Sequence, residues 1–242
     1  MNKPKMIIFD YGHTLLWERD FDFGRGYRAI FEHVSANPNG VTSDEMQELS
    51  EGIFNDVQVC RTNGFEIHEF PLLRCASEAL GVEFSLPLED IETILWTNAS
   101  NGGKMPHISE LLAYLKSEGI RTGVISNIGW SGGALKRRIE RLLPEGDFEF
   151  IITSSEYAVR KPNPLIFKVA LQKSGLKPDE VWFCGDNIKA DVNGAHGAGI
   201  FPVYYDCIDG EIDSLAKSGT LPDFDYLHIH DWRELIDILK DL

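Results

Sequence analysis

A chain of 242 residues, 43% hydrophobic and 25% charged, is long enough for one large domain or for a core carrying an inserted lobe. A formal net charge of −15 argues against nucleic acid and anionic membrane as partners. No apolar run approaches the length of a membrane span, and the four cysteines show no Cys-x-x-Cys spacing that would suggest zinc.

The N-terminus, MNKPKMIIFD, has only a four-residue apolar run before a charge, too short for a secretory leader, so the sequence predicts a cytoplasmic protein. MIIFDY reads as a buried strand that delivers Asp10 to its carboxyl end. From Trp17 to Gly103 the pattern is helical: GRGYRAIFEHV, SDEMQELSEGIFNDVQVCR, PLLRCASEALG and LEDIETILWTN, with few strand signals. After KMP the pattern alternates. PHISELLAYLKSEG is a helix stopped by Gly119, and RTGVISN a strand. GGALKRRIERLL is a helix, FEFIITSS a strand, and PLIFKVALQKSG a helix ended by Gly175. VWFCGD is a strand, IKADVNGAHGAG a helix rich in small residues, FPVYYD a strand, and DWRELIDILKDL a closing helix.

Strand–helix alternation implies a parallel sheet covered by helices on both faces, a three-layer Rossmann-like α/β core. The expected division is a core of residues 1–16 and 104–242, with a helical cap inserted over 17–103. Open parallel sheets bind ligands beyond the carboxyl ends of their strands, where the sequence places Asp10, Ser126 and Asp186.

Each of these positions carries possible chemistry. A carboxylate at a strand tip can attack phosphorus and form an aspartyl-phosphate, or it can merely cap the following turn. Gly12 and Thr14 suit a tight turn there, and the Gly12 carbonyl could face a metal. Ser126 and Asn127 precede the turn IGWSGG and a helix; a hydroxyl and free N–H groups there could hold phosphate oxygens, or the residues could serve as helix caps. Lys161, in RKPNP, lies in a loop stiffened by prolines; Arg160 receives no role. Asp186 and Asp191, in GDNIKAD, could join Asp10 in presenting oxygens to a hard divalent cation such as Mg²⁺.

FDYGHTLL, VISN, RKPNP and GDNIKAD, in that order, resemble the four motifs of the haloacid dehalogenase superfamily, and the helical segment resembles that family's cap. The resemblance implies Asp10 as nucleophile and Lys161 as the cation that neutralises charge on the nucleophile and the phosphoryl group. It implies Asp186 as direct Mg²⁺ ligand, and Asp191 as a ligand through water or a partner of Lys161.

The sequence departs from the family at Gly12. Most phosphatases of the family carry a second Asp there, which protonates the leaving group and then activates water, help worth roughly 10²–10⁴ in rate. A phosphonoacetaldehyde-hydrolysing relative would need a cap lysine, and none lies between Lys5 and Lys104. Haloacid dehalogenases lack the Gly-Asp that Gly185 and Asp186 provide. The expectation is a Mg²⁺-dependent hydrolase of a small phosphorylated metabolite; the alternative is a binding protein that retains the metal site. His13 is the nearest substitute acid. Arg25, Arg28, Arg61 and Arg74 are the cap cations that could touch substrate.

Overall fold

The computed structural model describes residues 2–207 and 220–242. The first strand, β1 (Met6–Phe9), is followed by β2 (Leu16–Arg19), α1 (Phe23–Phe31), β3 (Val34–Ala36), α2 (Ser43–Val57), α3 (Val59–Thr62), α4 (Glu69–Leu80), β4 (Glu83–Phe84), α5 (Leu88–Ala99) and β5 (Asn101–Lys104). The alternating part continues with α6 (Ile108–Ser117), β6 (Arg121–Ser126), α7 (Gly132–Leu142), β7 (Ile151–Thr153), α8 (Ser154–Tyr157), α9 (Pro164–Ser174), β8 (Val181–Gly185), α10 (Asn193–Gly197), β9 (Phe201–Tyr205), β10 (Leu227–Ile229) and α11 (Trp232–Lys240).

Six strands pair in the order β10-β9-β8-β1-β6-β7, all parallel. β1 sits centrally because all four of its residues are buried, as a strand covered on both faces requires. Its side chains alternate. Ile7 and Phe9 join a cluster with Leu111 and Leu115 of α6, Leu135 of α7 and Trp232 of α11. Met6 and Ile8 join Ile166 and Phe167 of α9 and Ala195 of α10. Each such side chain contributes roughly 1.5–3 kcal/mol by leaving water. The result is the three-layer α/β architecture that the alternation predicts.

The helical segment is more than helices. β2 and β5 form an antiparallel ribbon, Leu16 opposite Lys104 and Arg19 opposite Asn101, where the chain leaves and re-enters the sheet region. β3 and β4 form a second short ribbon. Strands of two to four residues without alternating polarity leave no periodic trace in a sequence. Tyr27, Ile30, Leu95 and Trp96 belong to the same buried cluster as Ile7 and Phe9, so the apolar packing runs unbroken from sheet to helical segment.

Two further elements differ from the sequence expectation. FEFIITSS is a strand only over Ile151–Thr153, since Ser154 begins α8. IKADVNGAHGAG starts as a π-helical turn, Ile188–Val192, before α10. Asn187 caps that turn, accepting a bond from the Ala190 N–H at 2.8 Å, and widening it lets Asp191 turn back toward the sheet.

Candidate active site

The site forms at the carboxyl edge of the sheet because three neighbouring strands end together. Phe9 is in register with both Val124 of β6 and Cys184 of β8. Asp10, one residue on, donates its N–H to the Cys184 carbonyl at 2.8 Å, and Asp186 follows the last residue of β8. Beyond Asp10 the chain folds tightly: the N–H groups of Leu15 and Leu16 both bond the Tyr11 carbonyl, and His13 takes a left-handed φ of 53°. A Cβ added at Gly12 would meet no atom of the described residues within 4 Å apart from its two chain neighbours, Tyr11 and His13.

Lys161 holds the site together. Its side chain is 1% exposed, and its ammonium lies 2.6 Å from Asp10 Oδ1, 2.7 Å from Asp191 Oδ1 and 2.9 Å from the Ile125 carbonyl. Burial alone would lower its pKa; the Asp10 and Asp191 carboxylates overcome that, and the net shift is upward. Asn127 fixes the Lys161 backbone. Its Oδ1 accepts the Lys161 N–H at 2.7 Å and its Nδ2 donates to the Lys161 carbonyl at 2.9 Å.

Asp191 is buried and doubly held, by Lys161 and by the Asn187 N–H at 3.0 Å to Oδ2. It reaches this position only because residue 185 is glycine: a Cβ there would lie 2.4 Å from the Asp191 carboxyl carbon. Burial pushes the Asp191 pKa up to about 6 despite Lys161, with Asp10 adding to the rise. Asp186 is raised well above the usual carboxylate range, by burial first and then by the charges of Asp10 and Asp191. Carboxylate oxygens of Asp10, Asp186 and Asp191 lie within 4.8 Å of one another. One ammonium cannot neutralise three clustered acids, so the donor set fits a hard divalent cation. The short bond to Lys161 makes Asp191 first a lysine partner.

At the N-terminus of α7 the leading N–H groups are bonded to side chains. The N–H of Ser131, the cap of α7, donates to Glu92 at 2.7 Å, and that of Gly132 to Glu156 at 2.8 Å. The Ala134 N–H bonds the Ser131 hydroxyl and the Ile128 N–H the Ser154 hydroxyl. Two acids already use the positive helix end that an anion would need. Of the expected phosphate contacts, the Asn127 side chain is engaged by Lys161, whereas the Ser126 hydroxyl makes no hydrogen bond among the described residues.

Other polar contacts escaped sequence reasoning. Glu66, its side chain 1% exposed, pairs with Arg61 at 3.0 Å and with Arg160, and accepts a bond from the Ser154 hydroxyl at 2.7 Å. The Glu66 N–H bonds the Ala158 carbonyl, and the Arg160 N–H bonds the Gly64 carbonyl. Arg160, given no role from sequence, therefore ties the Lys161 loop to the helical segment. Arg138 is buried against Tyr11, Glu18 and Ser100, bracing the ribbon from below. Arg25 bonds the carbonyls of Asp20 and Ala99, Arg28 approaches Asp22, and Arg74 is exposed on α4.

A carboxylate thus stands at the tip of a central parallel strand, held by a buried lysine and flanked by two more acids. Residues 89–204 match the family model for haloacid dehalogenase-like hydrolases. Over that stretch the chain is similar to haloacid dehalogenase-like hydrolases. It is 32% identical over 139 residues to a glyceraldehyde 3-phosphate phosphatase of Methanopyrus kandleri, covering 57% of each chain. It is 25% identical to the pyrimidine 5'-nucleotidase YjjG of Escherichia coli, over 95% of this chain and 96% of that one. The chain spans about half the length of the archaeal relatives it matches. Among solved structures, an HAD phosphatase from Thermococcus onnurineus shares the fold with a TM-score of 0.61 at 20% identity, covering 97% of both chains. A 2-haloacid dehalogenase from Pseudomonas syringae pv. Tomato DC3000 does so with 0.62 at 18%, covering 98% of this chain and 99% of that chain.

Proposed function

We propose that this protein is a Mg²⁺-dependent phosphatase that hydrolyses a small phosphorylated metabolite through an aspartyl-phosphate on Asp10. The observation that carries the reading is the triple contact of Lys161 with Asp10, Asp191 and the Ile125 carbonyl. A buried ammonium so placed aims the Asp10 carboxylate from a rigid strand end, as a nucleophile must be. The names of the relatives, glyceraldehyde 3-phosphate phosphatase and pyrimidine 5'-nucleotidase, point to a phosphate monoester.

Asp10 and Asp186, with the Gly12 carbonyl, would hold Mg²⁺, and Asp191 would assist through water. The ion would supply charge neutralisation for the phosphoryl oxygens. An Asp10 oxygen attacks phosphorus, the ester P–O bond breaks, and the leaving oxygen departs with the electron pair. Lys161 holds the negative charge that builds between nucleophile and phosphoryl group, and Ser126 donates its hydroxyl to a phosphoryl oxygen. Water then attacks phosphorus, releasing inorganic phosphate and restoring the Asp10 carboxylate. Because Gly12 offers no proton, the leaving oxygen takes one from solvent, which favours substrates with good leaving groups, such as acyl or aryl phosphates. The helical segment covers the carboxyl edge as a cap over 17–103, and its movement would admit substrate.

Turnover of p-nitrophenyl phosphate with and without Mg²⁺ tests the proposal. Activity that requires Mg²⁺ and vanishes in Asp10→Asn supports it. A folded wild-type protein that binds phosphate esters without turnover would instead support a non-catalytic binding role.

A further inference from the structure

A second cluster of metal-ligand side chains lies at the same carboxyl edge, on the outer strands. β10 pairs with β9 so that His228 stands opposite Tyr204 and Ile229 opposite Tyr205. Extending the register by one residue sets His230 opposite Asp206, and the Asp206 N–H bonds the Ile229 carbonyl at 2.8 Å. In a parallel pair, alternate residues share a face. Tyr204, Asp206, His228 and His230 therefore gather on one face, and the tyrosine ring packs against His228 at 4.8 Å between centroids.

The ligand atoms converge. His228 Nε2 is 3.2 Å from Asp206 Oδ2, and His230 Nδ1 is 3.9 Å from the same oxygen. A nitrogen of each ring and an oxygen of Asp206 lie within 4.8 Å of one another. Two ligands bound to Zn²⁺ at about 2.0–2.1 Å in tetrahedral array sit roughly 3.3 Å apart, so small rotations of the side chains close the triangle. His230 Nδ1 also stands 2.8 Å from the Asp206 carbonyl. Ligation through Nδ1 would exchange that contact for the ion. The His230 N–H is tied to Glu234 at 3.1 Å, which anchors the residue's backbone.

We infer that Asp206, His228 and His230 form a second metal site, selective for a Zn²⁺-class transition ion and separate from the three-aspartate centre. Two imidazoles and one carboxylate suit Zn²⁺, Co²⁺ or Ni²⁺, whereas Mg²⁺ prefers oxygen alone. The histidine side chains are 34% and 41% exposed, so an ion can enter from solvent. Three protein ligands among the described residues leave a coordination position for a further donor. The two centres stand on neighbouring strands: β8 carries Asp186, and β9 and β10 carry the new cluster.

Untagged, chelator-stripped full-length protein, titrated calorimetrically with Zn²⁺ and followed by the visible absorption of Co²⁺, tests the site. The Asp186→Asn variant separates it from the three-aspartate centre. One Zn²⁺ should bind in Asp186→Asn, weaken at least tenfold when His228→Ala and His230→Ala are added, and withstand millimolar Mg²⁺. His228→Gln alone and Asp206→Asn alone, each checked for an unchanged melting temperature, should also weaken binding. Failure of Asp186→Asn to bind Zn²⁺ at 100 micromolar, or binding indifferent to the histidine substitutions, overturns the inference.

Discussion

Lys161 Nζ and Asp10 Oδ1 lie 2.6 Å apart although 151 residues separate them in the chain. The contact depends on β1 and β6 ending side by side, and on Asn127 gripping the Lys161 backbone from the end of β6. It sets the aim of the proposed nucleophile, and its removal should be costly in two ways. Lys161→Met should lower turnover of an aryl phosphate by about 10²–10³, the usual cost of losing a preorganised charge contact. It should also destabilise the fold by about 3–5 kcal/mol, because the buried Asp191 loses its counter-charge. Steady-state kinetics and urea unfolding of the same variant check both. Asn127→Ala should lower kcat with a smaller loss of stability, since the ammonium survives but its loop loses two bonds.

The open space beside Gly12 makes a gain of function testable. Gly12→Asp should fold with near wild-type stability, because a Cβ there meets no neighbour. It should raise kcat for an alkyl phosphate by about 10²-fold or more while changing aryl phosphate turnover little, since protonation matters most for a poor leaving group. Parallel assays on glycerol phosphate and p-nitrophenyl phosphate decide it; equal effects on both would show that the added carboxylate does not act as an acid.

Gly185→Ala tests the packing that seats Asp191. The added methyl would overlap the carboxyl carbon of a side chain held at both ends. Loss of stability by about 1–3 kcal/mol and of most activity is expected, with weaker Mg²⁺ binding by calorimetry. Gly197→Ala, where a Cβ meets nothing, is the control that should leave both intact.

Glu92 gives a pH dependence with a definite sign. Fully buried on α5, it accepts bonds from the Ser131 N–H and hydroxyl, yet burial holds its pKa at about 7. The folded value is raised above the unfolded one, so the native state keeps a proton that the unfolded chain releases. Its contribution is complete below about pH 4.5 and is lost as pH rises through about 7. Denaturant unfolding between pH 5 and 8 should show stability falling, with Glu92 contributing on the order of 2 kcal/mol, and Glu92→Gln should reduce that slope, leaving the part due to Glu69 and Asp191.

The sheet and most helices were legible because their signals are local. Buried strands read as short apolar runs, and helices such as α6 show Ile108, Leu111, Leu112 and Leu115 on one face. The ribbons β2/β5 and β3/β4 were not legible, because strands this short owe their pairing to partners far along the chain. Glu92 did leave a trace: it shares a helix face with Leu95 and Trp96, an acid where the apolar stripe should continue. Glu66 left none, since its partners Arg160 and Ser154 lie 94 and 88 residues away.

By itself the sequence determined which residues could do chemistry, Asp10, Lys161, Asp186 and Asp191, and that Asp10 and Asp186 follow strands, Lys161 sits in a stiff loop and Asp191 on a helix. It determined too that residue 12 supplies no side chain. Tertiary structure alone decided how those residues share their charges: Lys161 joins Asp10 to Asp191, Asn127 serves Lys161, and the α7 N-terminus goes to Glu92 and Glu156. It also assembled Asp206, His228 and His230 from two strands. The physical reason is range. Periodicity records which face of an element is buried, whereas a hydrogen bond or ion pair depends on distances of about 3 Å that only the packing of remote elements can set.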